Sequence, residues 1–357
     1  MICMIMKKTK IDIKHGVVDM THGSGGRATA ELIHEIFLNA FDNPHIRQGD
    51  DSCVIDIDPK YSPSSEAYRL VLTTDAHVVS PLFFPGGDIG SLSVNGTVND
   101  LAMSGASPLY LTASFILEEG LPLDVLQRVV RSMALAASKA GVSIVAGDTK
   151  VVEKGKGDGI FISTTGVGYV DKNINISGRN ARVGDAIIIS GTIGDHGVAV
   201  LSQRESLSFE TQIESDSVAL NSLVAQMLSV APQGVHALRD PTRGGLGVAL
   251  NEIAHQSNVG VVLHESSIPV LPQVSAVCEL LGLDPLYIAN EGKLIAICDP
   301  NDVEVLLAAM HAHPLGISAS LIGEVTQDPN NFVQMTTKMG GQRMVDWLNA
   351  EQLPRIC

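Results

Sequence analysis

Six aspartates carry the strongest chemical signal in the chain: Asp50, Asp51, Asp75, Asp100, Asp148 and Asp240, most of them at an expected strand end or beside glycine. Carboxylates gathered at one place need a counter-cation. Oxygen-only ligation favours Mg2+, which takes one or two carboxylates and fills its shell with water and phosphate oxygens. A magnesium–nucleotide site is the chemistry this set points to. Each aspartate alone is equally a turn or cap residue, and Arg243 in Asp240-Pro241-Thr242-Arg243 equally a structural pair. Lys150 follows Asp148-Thr149, and Glu291 lies in Asn290-Glu291-Gly292-Lys293. A lysine beside phosphate can stabilise negative charge or, if desolvated, accept a proton, and a glutamate can be its partner or the base. Both are otherwise surface charges. His22, His196, His311 and His313 can each meet phosphate or simply be hydrogen-bonded; no pair has the His-Glu-x-x-His zinc spacing. The chain ends Pro354-Arg355-Ile356-Cys357. A terminal thiol sits where the chain is least restrained, so it can be carried to a reactive partner, modified and carried away. A frayed end bearing a chance cysteine is the plainer alternative.

Strands and helices must hold these residues. Thr21-His22-Gly23-Ser24-Gly25-Gly26-Arg27 is a glycine-rich loop that opens onto a helix over 28–40, with Leu32, Ile33, Ile36, Phe37 and Ala40 at helical spacing. Backbone amides of such a loop can cradle phosphate; it is equally a turn, and it lacks the Gly-Lys-Ser/Thr ending of a Walker loop. Strands are predicted at 53–57 and 69–74, joined by a turn around 59–65, the second ending at Asp75. A helix follows over 89–105, capped by Asp88 and carrying Asn99-Asp100. The pattern then gives a strand at 110–117 and a helix over 122–140 with Pro at its start and Gly141 after its end. A strand at 142–146 is predicted to stop at Gly147-Asp148-Thr149-Lys150, and another spans 160–170. The polar stretch 171–185 reads as a domain boundary. Beyond it, strands at 186–190, 235–239, 260–263, 294–298, 321–325 and 332–336 alternate with helices at 198–204, 217–228, 246–256, 270–281 and 301–311. Both halves are α/β or α+β.

Length suits two domains, each able to bury a core. The net charge of −15, with no Lys/Arg-rich block, argues against free-standing nucleic-acid binding. Five cysteines show no CxxC pair and no zinc spacing, which suggests a reducing compartment. Cys298 lies in an apolar run and reads as a core residue. Met1–Met6 is too short for a signal-peptide core, and Lys7-Lys8 follow it rather than precede it. No stretch suits a membrane span, so the cytoplasm is the expected location.

The sequence resembles the HypE family, the carbamoyl dehydratases of nickel–iron hydrogenase maturation, within the superfamily of aminoimidazole ribonucleotide synthetase, selenophosphate synthetase and thiamine monophosphate kinase. The likeness runs from about His22 to Cys357. It is carried by His22–Gly26, Thr74-Asp75, Pro81–Gly87, Asn95–Ala102, Phe115–Gly120, Gly147–Lys150, Gly194–Gly197, Arg239–Gly245, Ala289–Lys293 and above all Pro354-Arg355-Ile356-Cys357. The stretch before Met20 departs from the family and bears on where translation starts. The resemblance implies a two-domain PurM-like fold: residues 1–20 an extension, 21–172 an ATP-binding domain, 173–345 a second domain and 346–357 a flexible tail. It implies a homodimer whose N-terminal sheets pair into a barrel. It also implies ATP and Mg2+ as cofactors. Metal or ATP roles pass to Asp51, Asp75, Asp100 and Asp148, with Asp240 a further contributor from the second domain. Phosphate contact passes to Gly23, Ser24, Gly25 and Gly26, and Asn99 becomes a neighbour of the nucleotide. Cys357 would be the modified residue, with Lys150 and Glu291 near its thiol when the tail swings in. The implied partners are HypF, which supplies a carbamoyl group, and a HypC–HypD scaffold that receives cyanide.

Two other readings compete. A sibling of the superfamily would phosphorylate or activate a small molecule; a selenophosphate synthetase would need a reactive Cys or Sec near the glycine loop, where Ser24 stands, and a thiamine phosphate kinase would leave Cys357 without a role. A non-catalytic scaffold would use the tail as a docking or metal-delivery peptide.

Overall fold

The computed structural model describes residues 12–13, 15–23, 25–41, 43–45, 47, 49–57, 67–205, 213–348, 353 and 355–357. The Met1–Met6 stretch with Lys7-Lys8, Cys3, Ser24, the 59–65 turn and Pro354 lie outside them. Among the described residues no helix is long and apolar enough to cross a membrane.

The chain enters through a 3-10 turn, Met20–Gly23, and then α1 (Arg27–Leu32), which continues through a π-helical stretch, Ile33–Leu38, into α2 (Asn39–Phe41). The first sheet follows: β1 (Cys53–Asp56), β2 (Tyr68–His77), a small hairpin of β3 (Phe83–Phe84) and β4 (Gly87–Asp88), α3 (Ile89–Met103), β5 (Ser107–Glu118), α4 (Leu123–Ala140), β6 (Ser143–Val152) and β7 (Ile160–Asp171). Its five strands run β1-β2-β7-β5-β6, antiparallel except for the parallel pair β5–β6. That parallel step needs a crossover, and α4 supplies it. Val129, Met133, Ala136, Ala137 and Ala140 recur at helical spacing and form the buried face of α4. Gly141, at φ +74°, ends that helix in the left-handed conformation. Asp88 caps α3: its carboxylate accepts from the backbone N–H of Gly90 and Ser91 while the Ser91 hydroxyl accepts from the Asp88 N–H, a closed capping box.

The second domain is built from β8 (Ala186–Ile189), α5 (Asp195–Arg204), α6 (Asn221–Val230), β9 (Val235–Arg239), α7 (Gly245–Ser257), β10 (Gly260–His264), α8 (Pro272–Leu281), β11 (Ile295–Cys298), α9 (Val303–His311), β12 (Ser320–Thr326), β13 (Val333–Thr336) and β14 (Gln342–Met344). Its seven strands run β14-β13-β10-β12-β8-β11-β9. β8, β9 and β11 are buried along their whole length. Ile188, Leu238 and Ala296 face α6, α9 and the end of α3, while Ile187, Ile189 and Ile295 face α7. Cys298 ends β11 fully buried, its thiol pushed up to about 12 by desolvation and nearby carboxylates, as suits an inert core residue.

Helix α3 joins the two halves. It lies against the first sheet on one side and α6 on the other, so it is buried nearly all round. Two expectations change. The strand predicted to stop at Ala146 continues as β6 through Asp148 and Lys150 to Val152, because β5 pairs with it in register, Ser114 opposite Asp148. The short edge strand β14 has no counterpart in the sequence pattern.

Candidate functional site

Four aspartates converge where the two domains meet. Asp51 precedes β1, Asp75 lies near the end of β2, Asp100 is on the last turns of α3, and Asp240 follows β9. The Thr73 hydroxyl lies 2.7 Å from Asp100 Oδ2 and 3.0 Å from the Asp51 carbonyl, tying α3 to the strand. Arg239 makes a short ion pair with Asp51 and a second, at 3.4 Å, with Glu252. Burial pushes Asp51 up to about 6, against the pull of Arg239. Burial and the neighbouring charges drive Asp100 and Asp240 well above the usual carboxylate range. Asp75 goes the other way. Burial pushes it up, but His77, whose Nε2 is 3.2 Å away, and Arg243 outweigh this and hold it at about 2.

The chain's end lies against this cluster. The Cys357 thiol lies beside the Glu291 carboxyl, close enough for each to shift the other's proton affinity. Glu291 is buried, and its Oε1 has no hydrogen-bond partner among the described residues. Burial first, then Asp240, Asp75 and Asp216, push Glu291 far upward. Burial and Glu291 do the same to the Cys357 thiol. Asp216 accepts from the Glu291 N–H at 2.9 Å and from Lys293 Nζ at 3.0 Å, which fixes the loop carrying the carboxyl. The thiol opens on a cavity of about 310 Å3, lined by Val18, Met20, His22, Gly23, Arg243 and the tail among others.

The tail is docked. The Val78 N–H donates to the Cys357 carbonyl and the Ser80 N–H to the Arg355 carbonyl, both at 3.2 Å. His196 Nε2 lies 2.8 Å from the Ile356 carbonyl, and Arg204 donates to the Arg355 carbonyl at 2.7 Å. Arg355 pairs with Asp158, and the Ile356 and Leu353 side chains are buried.

Other expected residues are not brought together with these. Asp148 and Lys150 stand on exposed β6, paired with each other at 2.6 Å. Asp148 shares a row with Ala76, Ser163 and Ser114 across β2, β7, β5 and β6. Three inter-strand steps separate Asp148 from the end of β2, about 14 Å. Within one chain, therefore, Lys150 is not beside the thiol and Asp148 is not beside Asp75. Asn99 is also committed elsewhere. Its amide donates to the Val218 and Glu291 carbonyls at 3.0 and 3.2 Å, and its oxygen accepts from the Leu220 N–H at 2.8 Å. With both amide hydrogens used, it clamps α3 to the second domain rather than facing a ligand.

The glycine loop is packed as well. A Cβ at Gly26 would meet the Leu348 carbonyl at 2.5 Å, and Gly25, at φ +76°, lies against the Arg243 backbone. The Gly25 N–H donates to the Thr29 hydroxyl and the Arg27 N–H to Leu348, so these amides are engaged. Gly23 lines the thiol cavity, its carbonyl accepting from Arg243 at 3.2 Å. Asp50 binds Ser177 and the Gly178 N–H. His22 pairs with Asp19, His311 meets the Ala319 carbonyl, and His313 caps the turn at Leu315.

Arg239, His77, Asp216 and Arg204 were not singled out as site residues from the residue pattern, and His196 was named only as one of four histidines that could meet phosphate. Arg239 and His196 lie inside motifs that carry the resemblance; Arg204 ends an ordinary helix and shows no sequence signal. Among the described residues, no group of three His, Cys, Asp or Glu side chains is set to hold a metal ion. The donor set of Asp51, Asp75, Asp100 and Asp240 still fits Mg2+. It is all oxygen, and Asp100 and Asp240 are each raised, after burial, by the charges of Asp51 and Asp75, which a hard cation would relieve.

Residues 49–170 match the N-terminal domain of the AIR synthase related protein family, and residues 182–336 match its C-terminal domain. The two-domain fold is that of this class. The chain is 65% identical over 347 residues to carbamoyl dehydratase HypE of Cupriavidus necator, covering 97% of each chain. It is similar to HypE in a solved HypE–HypF complex, with a TM-score of 0.83, 47% identity, and coverage of 89% of this chain and 99% of that one. A solved HypE bound to ATP gives a TM-score of 0.77 at 47% identity, covering 96% of this chain and all (100%) of that one. The chain belongs to the HypE carbamoyl dehydratase family of hydrogenase maturation.

Proposed function

We propose that this chain dehydrates a carbamoyl group carried on its own Cys357 to a thiocyanate, converting ATP to ADP and phosphate, and so supplies cyanide for the iron of nickel–iron hydrogenase. The contact between the Cys357 thiol and the buried Glu291 carboxyl, beside the aspartate cleft, carries this reading. A kinase acting on a small molecule has no use for it.

HypF is the carbamoyl donor; a HypE relative is known in complex with HypF. The loaded group is an S-carboxamide. Its oxygen attacks the γ-phosphorus of ATP, and ADP leaves. The oxygen becomes a phosphate ester, a far better leaving group than the amide oxygen. Loss of both nitrogen protons and of phosphate then leaves the nitrile on sulfur. Glu291, in its ionised form, is the base on this side of the site: it lies beside the Cys357 thiol, and burial among other carboxylates raises its affinity for a proton. Asp51, Asp75, Asp100 and Asp240 would hold Mg2+, which supplies charge neutralisation for the transferring phosphoryl group.

Asp148 and Lys150 remain assigned to metal, nucleotide and proton transfer through a homodimer. β6 is an exposed edge on which Ile144, Val145 and Val151 face solvent, and a second copy's sheet would both cover it and deliver these residues. Asn99 then acts on the site by holding α3, and the Gly23–Gly26 loop by shaping the thiol cavity. A HypC–HypD complex is the acceptor of the cyanide, and the reaction is placed in the cytoplasm.

Peptide mass spectrometry of Cys357 tests the reading, with HypF, carbamoyl phosphate and ATP supplied, and then Mg-ATP added to the carbamoylated chain. The expected result is a carbamoyl adduct on Cys357 that loses the mass of water only with Mg-ATP. An unmodified Cys357 in the presence of active HypF overturns it.

A further inference from the structure

We propose that His196 and Arg204 are positioning residues that lock the docked tail in one register, so that the Cys357 thiol is presented to Glu291. The inference rests on the reading of Cys357 given above, and it concerns a part of the molecule outside the aspartate cleft.

The main-chain oxygens of residues 355, 356 and 357 are all caught. Two are met by backbone, from Val78 and Ser80 just beyond β2, in the manner of a short added strand. The other contacts come from α5. His196, at its start, reaches the Ile356 carbonyl, and Arg204, at its end, reaches the Arg355 carbonyl. Arg204 also donates to the Ser80 carbonyl at 2.8 Å, so one guanidinium bridges the tail and the strand that receives it. His196 is fully buried. Its Nδ1 is 2.7 Å from the Ser215 hydroxyl, and its ring stands edge-on to Phe84 with centroids 5.4 Å apart. Burial favours the neutral imidazole. With Nδ1 accepting from Ser215, Nε2 carries the hydrogen and donates to the tail.

These contacts read the backbone, so they are indifferent to what the sulfur carries. Sequence selectivity comes from Ile356, buried in the main core cluster, and Leu353, beside which Gly197 leaves room: a Cβ there would stand 3.2 Å from a Leu353 methyl. The result is a socket that fixes the residue before the cysteine and leaves the thiol facing Glu291 and the cavity. A tail held this way is released as a unit, since its bonds are all with groups outside itself.

The test measures Cys357 alkylation by iodoacetamide in the full-length chain, by mass spectrometry of the C-terminal peptide. In a second assay, carbamoylated chain is mixed with saturating Mg-ATP and formation of the thiocyanate is timed. His196→Ala leaves the Ile356 carbonyl without its donor and Arg204→Ala removes one of the two donors to the Arg355 carbonyl, and each is expected to raise the alkylation rate about tenfold. Each is expected to slow thiocyanate formation by a similar factor, about tenfold. Arg204→Lys and His196→Gln, which keep a donor, are expected to restore much of both. Arg204 is partly exposed, so its variants serve even where His196→Ala fails to fold. Unchanged alkylation in Arg204→Ala and Arg204→Lys alike overturns the socket. Faster alkylation without slower thiocyanate formation overturns the positioning role. If the parent chain never accepts a carbamoyl group, the reading of Cys357 fails, while the alkylation assay still decides the socket.

Discussion

The two sheets of this protein are built to opposite rules. In the second domain, β8 and β11 are apolar on both faces, and isoleucines at 187, 188 and 189 serve two cores at once. In the first domain, β6 is exposed almost throughout and β5 is exposed at scattered positions along its length. The first sheet contributes Asp75 near the end of β2, and its neighbour α3 delivers Asp100; the second contributes Asp240 at one strand end and Glu291 before β11. Rigid burial on one side and an open, charged sheet on the other meet at a cleft that holds carboxylates near one another. Such a cluster costs stability, so the buried sheet is where the fold must recover it.

Predictions follow that divide. The largest effect belongs to the cleft. Glu291→Gln keeps shape and loses the base, so thiocyanate formation from carbamoylated chain should slow by roughly 10^2- to 10^4-fold. Its melting temperature should stay level or rise, because a buried, strongly raised carboxyl is replaced by a neutral amide. Single-turnover mass spectrometry and a thermal melt on the same sample check both parts, and a large fall in melting temperature would sink the assignment of Glu291 to chemistry rather than structure. Next is the buried sheet. Ile188→Ala removes a fully buried side chain from between α3, α6 and α9 and should cost about 3 kcal/mol by denaturant titration.

A third test sets the cleft's charge against the fold. Asp51, Asp100, Asp240 and Glu291 have pKa values raised in the folded chain, so the fold keeps protons that the unfolded chain releases above about pH 4. Their contribution is most favourable below the unfolded value and is lost as pH rises through the folded ones. Asp75, depressed to about 2, has the opposite sign: its contribution is present above about pH 4 and is lost as pH falls toward 2. Without divalent cation, the cleft's share of stability should decline from pH 5 to pH 8. Mg2+ should raise the melting temperature more at pH 8 than at pH 5. A Mg2+ effect of equal size at both values would break the link between the carboxylates and the cation.

Much of this arrangement was legible in the residues. Pro122 and Gly141 mark the two ends of α4, and Asp88 announces the start of α3. The run 294–298 predicts a buried strand, and the set of aspartates points to the cleft. What was not legible depends on distant partners. Gly147-Asp148-Thr149 has turn-forming residues, yet pairing with β5 keeps it extended, and an exposed edge leaves no apolar alternation to reveal it. Gly25 and Gly26 read as a phosphate cradle, but their small size is required by Arg243 and Leu348, more than two hundred positions away. Asn99, expected beside the nucleotide, clamps the backbone of residues 218, 220 and 291, a role that no residue pattern announces. His196 and Arg204 grip carbonyls of the tail, and a carbonyl leaves no mark in a sequence.

The smallest expected effect probes the open sheet most sharply. Val145 on β6 is 57% exposed, so Val145→Lys should change the stability of a separate chain by less than about 0.5 kcal/mol. In a homodimer that closes this edge, the same lysine is placed against a second copy, where burying its charge is costly. The two cases separate by protein concentration. A linked assembly stabilises the fold by mass action, so the parent chain's melting temperature should rise with concentration. The Val145→Lys chain should match the parent when dilute and fall behind when concentrated, with sedimentation showing a shift toward the single chain. A variant that tracks the parent at every concentration would leave β6 as a bare edge, and Asp148 and Lys150 would then have no route to the cleft.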